Sequence, residues 1–187
     1  MRRSGFVLAG GASARMGRDK ALLPYHGTTL VEHVARAVRD AAGNVALIGD
    51  PQRYESLGYP VYPDKLPGCG PLGGLYTALR LSTSDWNLVV ACDMPGILAE
   101  VLLALLDRAA ASDRVCIVAT GPAGQPEPLC AVYHRRCLPA VTRAIQDKRF
   151  KMLDLLHELE VESWDVNPSA VANVNTPGEW AEFEKAK

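Results

Sequence analysis

An apolar run, Gly5-Phe6-Val7-Leu8, that breaks into Ala9-Gly10-Gly11-Ala12-Ser13-Ala14-Arg15-Met16-Gly17-Arg18-Asp19-Lys20 constrains this chain more than any other feature. It reads as a strand opening into a loop. Consecutive glycines at a strand end let backbone N–H groups point outward with no Cβ in the way, so such a loop can approach a polyphosphate closely. Arg15, Arg18 and Lys20 add positive charge to the same concavity, and together these features point to a nucleoside triphosphate site. Two better-known glycine loops lose weight. A P-loop ends in Lys followed by Ser or Thr, whereas Lys20 follows Asp19 and precedes Ala21. A dinucleotide fingerprint needs G-x-G-x-x-G and an acidic residue about 20 positions on. Here Gly10 and Gly11 are adjacent, Gly17 stands apart from them, and Asp50 is much too distant.

The rest of the chain gives that loop an α/β setting. Thr28 and Thr29 are caps for a helix to about Ala42, with Leu30, Val34, Val38 and Ala41 along one face and Gly43 as its stop. Short strands follow at Asn44 to Ile48 and at Val61-Tyr62, and strand, helix, strand is the rhythm of a parallel sheet. Pro71 suits the first turn of a helix to about Leu81. Trp86 to Ala91 is the most continuous β run, unbroken in apolar character and so covered on both faces. A helix from Ala99 to Ala111, a strand from Val115 to Ala119 and a strand from Leu129 to Tyr133 come next, the last placed antiparallel or at an edge. Helices over Arg135 to Gln146 and Met152 to Leu159, and a last strand over Glu162 to Val166, complete the reading.

At 187 residues the chain suits one domain, and 48% apolar residues are enough to fill a core. A net charge of −1 gives no general attraction for nucleic acid or anionic lipid. Five cysteines (Cys69, Cys92, Cys116, Cys130 and Cys137) include no C-x-x-C pair, which argues against a disulfide framework or zinc knuckle and for small buried residues in a reducing cytoplasm. The apolar stretch behind Met1-Arg2-Arg3 is too short for a signal peptide, and nothing approaches a membrane span. His26, His33, His134 and His157 show no metal-ligand spacing and read as surface or helix residues, and no hydrolytic triad order appears.

Four further segments bear on chemistry. Cys92-Asp93-Met94-Pro95 ends the central strand, where open α/β sheets bind ligands, so Asp93 is the first choice for a magnesium ligand. Pro63 to Leu75 packs glycines around Pro71, a composition that suits backbone passing close to a planar base or an ordinary strand-to-helix loop, with Asp64 as a turn residue. Asp147 to Lys151 is a basic cluster at a helix start, suited to an anionic substrate or to solvent. Thr176, Pro177 and Glu179 make a capping box, which leaves Asn175 unexplained.

The opening stretch resembles the signature of the molybdenum cofactor guanylyltransferases: leucine-alanine-glycine-glycine, then arginine-methionine-glycine, then aspartate-lysine. It is met by Leu8 to Gly11, Arg15 to Gly17 and Asp19-Lys20, and the resemblance runs, with varying strength, from residue 5 to about 180. It implies a three-layer Rossmann-like nucleotidyltransferase fold in one domain over residues 1–187, with a mostly parallel twisted sheet, one antiparallel strand and helices on both faces. It implies transfer of GMP from GTP to molybdopterin or the molybdenum cofactor, with magnesium as cofactor and a cytoplasmic location. The molybdenum-insertion protein and target molybdoenzymes are its implied partners, with no nucleic acid and no membrane. By the same resemblance GTP is bound by Leu8, Ala9, Gly10, Gly11, Lys20, Asp64, Gly70, Pro71, Leu72, Gly73 and Asp93. Arg15, Lys20 and Asp93 are the catalytic set, with Arg149, Lys151 and Asn175 on pterin or phosphate. Where the family commonly has histidine-proline this chain has Glu127-Pro128, so the pterin contact of a basic or aromatic group there is not carried over. The neighbouring readings are a cytidylyl or sugar-phosphate nucleotidyltransferase and, from another class, a non-catalytic nucleotide-binding module.

Overall fold

The computed structural model describes residues 2–10, 19–121, 124–174 and 178–180. A strand covered on both sides needs a largely apolar run of side chains, and the chain's β runs meet that condition at the centre of one sheet. Strands β1 (Arg3–Leu8), β4 (Ala46–Ile48), β5 (Val61–Tyr62), β6 (Trp86–Ala91), β7 (Cys116–Thr120), β8 (Pro126–His134) and β9 (Val161–Asp165) lie in the order β5-β4-β1-β6-β8-β7-β9. All pairings are parallel except those of β8, which runs antiparallel to both β6 and β7. Every residue of β6 is buried. The run is not wholly apolar, because Asn87 lies within it, fully buried, with its Nδ2 donating to the Tyr133 carbonyl at 3.2 Å.

Successive side chains leave the sheet on opposite faces and enter two separate cores. Val7, Leu88 and Val90 pack with helices α1 (Leu30–Ala42) and α4 (Ala99–Ala111). Phe6, Leu8 and Val89 pack with α3 (Pro71–Leu81), α5 (Leu138–Gln146) and α6 (Met152–Leu156). Helix α1 starts at a full capping box, in which Thr29 accepts from the Glu32 N–H and the Glu32 carboxylate accepts from the Thr29 N–H. It ends at Gly43 in the left-handed region (φ 82°). The layers, the single antiparallel strand and helices on both faces are those the sequence resemblance implied.

Several boundaries differ from expectation. Strand β8 begins at Pro126 and lies between β6 and β7, antiparallel but not at an edge. A 3-10 turn over Arg135–Cys137 precedes α5, which keeps Pro139 in the first turn. Helix α6 stops at Leu156 instead of Leu159. A small hairpin, β2 (Pro24–Tyr25) with β3 (Thr28–Thr29), and a short helix α2 (Pro51–Tyr54) were not foreseen. Two of the five cysteines, Cys69 and Cys92, are only partly buried. Among the described residues no helix is long and apolar enough to cross a membrane.

Candidate active site

The sheet's carboxyl edge brings the chemistry-bearing ends together. Strand β1 connects outward to β4 while β6 continues to the other side, so the gap between β1 and β6 is the topological switch point where open α/β sheets bind ligands. Leu8 and Ala91 pair across it, and the Leu8 carbonyl accepts from the Cys92 N–H at 3.2 Å. The glycine-rich segment therefore leaves one side of this gap while Asp93 leaves the other.

Asp19 and Lys20 close that segment. Asp19 Oδ1 accepts from the Ala21 N–H at 3.1 Å and so caps a 3-10 turn over Lys20–Leu22. From this turn Lys20 Nζ donates to the Val174 carbonyl at 3.2 Å. The Val174 N–H in turn donates to the Asp93 carbonyl at 3.0 Å. One peptide segment from the end of the chain thus holds the lysine and the backbone of the aspartate together.

Burial pushes the Asp93 carboxyl above its usual range, and the Lys20 charge and its own backbone N–H pull it back. The Cys92 thiol is pushed up to about 12 by burial and then by the charges of Asp93 and Asp19, so it is no nucleophile at neutral pH. Glu127 joins this group from the start of β8, beside a register shift between Val118 and Ala119. Asn173 Nδ2 donates to its Oε2 at 3.4 Å, and burial and Asp93 both raise its carboxyl. Among the described residues no three or more His, Cys, Asp or Glu side chains form a metal cage. The Asp93 carboxylate is the donor chemistry that a hard divalent cation takes, one or two carboxylates with phosphate and water completing the shell.

The second glycine segment lines the same edge beyond β5. Asp64 makes the turn expected of it, Oδ1 accepting from the Leu66 N–H at 2.9 Å. The buried Thr77 hydroxyl, which accepts from the Lys65 N–H, lies 3.0 Å from that Oδ1 and 2.9 Å from the Gly73 carbonyl. A Cβ on Gly73 would come 2.9 Å from Asp64 Oδ2, so the first turn of α3 lies directly on this carboxylate. Gly70, at φ 58° and ψ −150°, precedes the helix with no side-chain cap. Gly70 and Pro71 are exposed, whereas Leu8 and Leu72 turn their side chains into the core beneath.

Gly11, Arg15 and Asn175, expected at the site, and the capping pair Thr176 and Pro177 lie outside the described residues. Arg149 is engaged by Asp147 at 3.1 Å and by Glu158, and Lys151 stands at the N-cap of α6 without a side-chain capping bond. Sequence reasoning missed Arg53, Tyr54, Thr77 and Val174. Asp50-Pro51 was a legible helix start for the first two. Nothing in the sequence pointed to Val174, which acts through its backbone.

A glycine segment leaving the switch point, with a lysine and a half-buried carboxylate beside it, is a candidate nucleoside triphosphate site on an α/β fold. The chain matches the MobA-like NTP transferase domain over residues 5–161. It is 33% identical to a probable molybdenum cofactor guanylyltransferase of Carboxydothermus hydrogenoformans, over 96% of this chain and 92% of that protein. Its fold is similar to that of molybdopterin-guanine dinucleotide biosynthesis protein A from Archaeoglobus fulgidus, with TM-score 0.82, 25% identity and coverage of 98% and 97%. A Mycobacterium tuberculosis protein solved in complex with manganese shares the fold at TM-score 0.76 and 21% identity, with 100% of both chains covered. This chain belongs to the MobA-like NTP transferase family and is a nucleotidyltransferase.

Proposed function

We propose that the protein transfers GMP from GTP to a terminal phosphate of molybdopterin or the molybdenum cofactor, releasing pyrophosphate and forming a guanine dinucleotide. The observation that carries this reading is the convergence of Lys20 and Asp93 on Val174 at the mouth of the glycine segment. The relatives named as guanylyltransferases support the choice of base and acceptor.

Gly10 and Gly11 offer backbone N–H groups to the triphosphate, and Lys20 neutralises charge on the β- and γ-phosphates as they depart, with Arg15 in the same role. Gly70 to Gly73 and Asp64 receive the guanine. Asp93 is the residue to hold magnesium, which when bound supplies positive charge to the reacting phosphates. The attacking phosphate is already ionised at neutral pH, so no general base is required and catalysis reduces to alignment and charge neutralisation. Arg149, Lys151 and Asn175 take the pterin substrate's phosphate.

The test measures pyrophosphate release with magnesium, GTP and molybdopterin for the wild type and for Lys20→Ala, alongside calorimetric titration with GTP and CTP. A loss of roughly 100-fold or more in the folded variant is expected, the scale of removing one preorganised charge-stabilising group. Unchanged transfer in the variant, or tighter binding of CTP than GTP, contradicts the assignment.

A further inference from the structure

We propose that Tyr54 is a positioning residue for Lys20, acting by pinning both ends of the glycine-rich segment. The proposal rests on the nucleotidyl-transfer reading above. Tyr54 is 2% exposed and closes the short helix α2, which no motif assigned to the site. Its ring lies against Gly49, where an added Cβ would come 2.9 Å from Tyr54 Cε2 and 3.0 Å from the Ala9 carbonyl. The ring therefore packs where the glycine segment leaves β1. Its hydroxyl reaches the other end, donating to Asp19 Oδ2 at 2.8 Å.

Asp19 uses its second oxygen to cap the turn that carries Lys20. Fixing the Asp19 carboxylate thus fixes the direction from which Lys20 extends toward Val174 and the phosphates. Arg53 Nη1 also reaches Oδ2, at 3.2 Å, but its side chain is 57% exposed against 15% for Asp19, and water competes for it. The buried hydroxyl is the geometrically restrictive partner. Burial and the Asp19 charge raise the phenol well above its usual range, so it remains a donor at neutral pH.

The experiment titrates magnesium-GTP into the wild type, Tyr54→Phe, Lys20→Ala and the double variant. Phenylalanine keeps the ring against Gly49 and removes only the hydroxyl. The expected result is weaker GTP binding by about fivefold in the wild-type background and by less than about twofold once Lys20 is absent, because the effect passes through the lysine. Asp19→Asn reads the same link from its other partner and follows the same pattern, so the test survives a poorly folding tyrosine variant. An equal loss in both lysine backgrounds, which a merely structural role gives, overturns the proposal, as does no loss in either. A wild type that binds no GTP overturns the functional reading and this one with it, an outcome distinct from a binding wild type with uncoupled variants.

Discussion

Lys20 reaches 154 positions along the chain to donate to the carbonyl of Val174 at 3.2 Å. The same residue's N–H is held by the Asp93 carbonyl at 3.0 Å. The segment approaching Val174 is therefore part of the site's frame, and so are the contacts that seat it.

One of those contacts is at Gly96, where an added Cβ would run into the Ser169 carbonyl. Gly96→Ala must push the 3-10 turn over Pro168–Ala170 outward. The expected cost is about 1–3 kcal/mol of stability, as for other overpacked positions, read as a lower midpoint in urea. Nucleotide transfer falls with it because Val174 moves with the turn.

At Gly73 the conflict is local to the proposed guanine pocket, with an added Cβ 2.9 Å from Asp64 Oδ2. The Leu66 carbonyl is closer still, at 2.6 Å, so Gly73→Ala displaces the 64–66 turn with its carboxylate or the first turn of α3. GTP affinity falls about tenfold, or ~1.4 kcal/mol, by calorimetry. Retained affinity would place the base elsewhere.

The Asp93 carboxyl is raised from its ordinary 3.8, chiefly by burial. For an acid raised on folding, the associated stability is full below the unfolded pKa and is lost as pH rises through the folded value. Metal-free Asp93→Asn is therefore expected to melt higher than wild type at pH 7, with the difference vanishing below about pH 4. Magnesium-GTP reverses the order by stabilising the wild type more than the variant.

Away from the site, Thr29→Ala removes the side-chain half of the capping box on α1. A loss of about 1 kcal/mol is expected, a melting shift of ~2–4 °C, with GTP affinity unchanged.

The sequence was legible where local chemistry decides structure. The Pro71 start of α3, the Gly43 stop of α1 and the largely apolar β6 were read from residue type and period, and each stands where expected. Asp64 also makes the self-capping turn its residue type allows. What escaped depended on tertiary placement. Strand β8 takes an interior position because the sheet continues to β7 and β9, which no period in Leu129 to Tyr133 encodes. Tyr54 meets Asp19 only after β1 and β4 have paired and brought their ends together. Glu127, which departs from the family pattern, proves to face Asn173 and the Asp93 charge, a relation that needs the antiparallel return of β8 to the carboxyl edge.

The most direct measurement incubates the protein with magnesium, GTP and molybdopterin and weighs the pterin product by mass spectrometry. The wild type is expected to form a guanine dinucleotide in step with pyrophosphate, and Asp93→Asn to lose it. A pterin of unchanged mass, or a cytidine adduct formed preferentially when CTP competes, would contradict the proposed reaction.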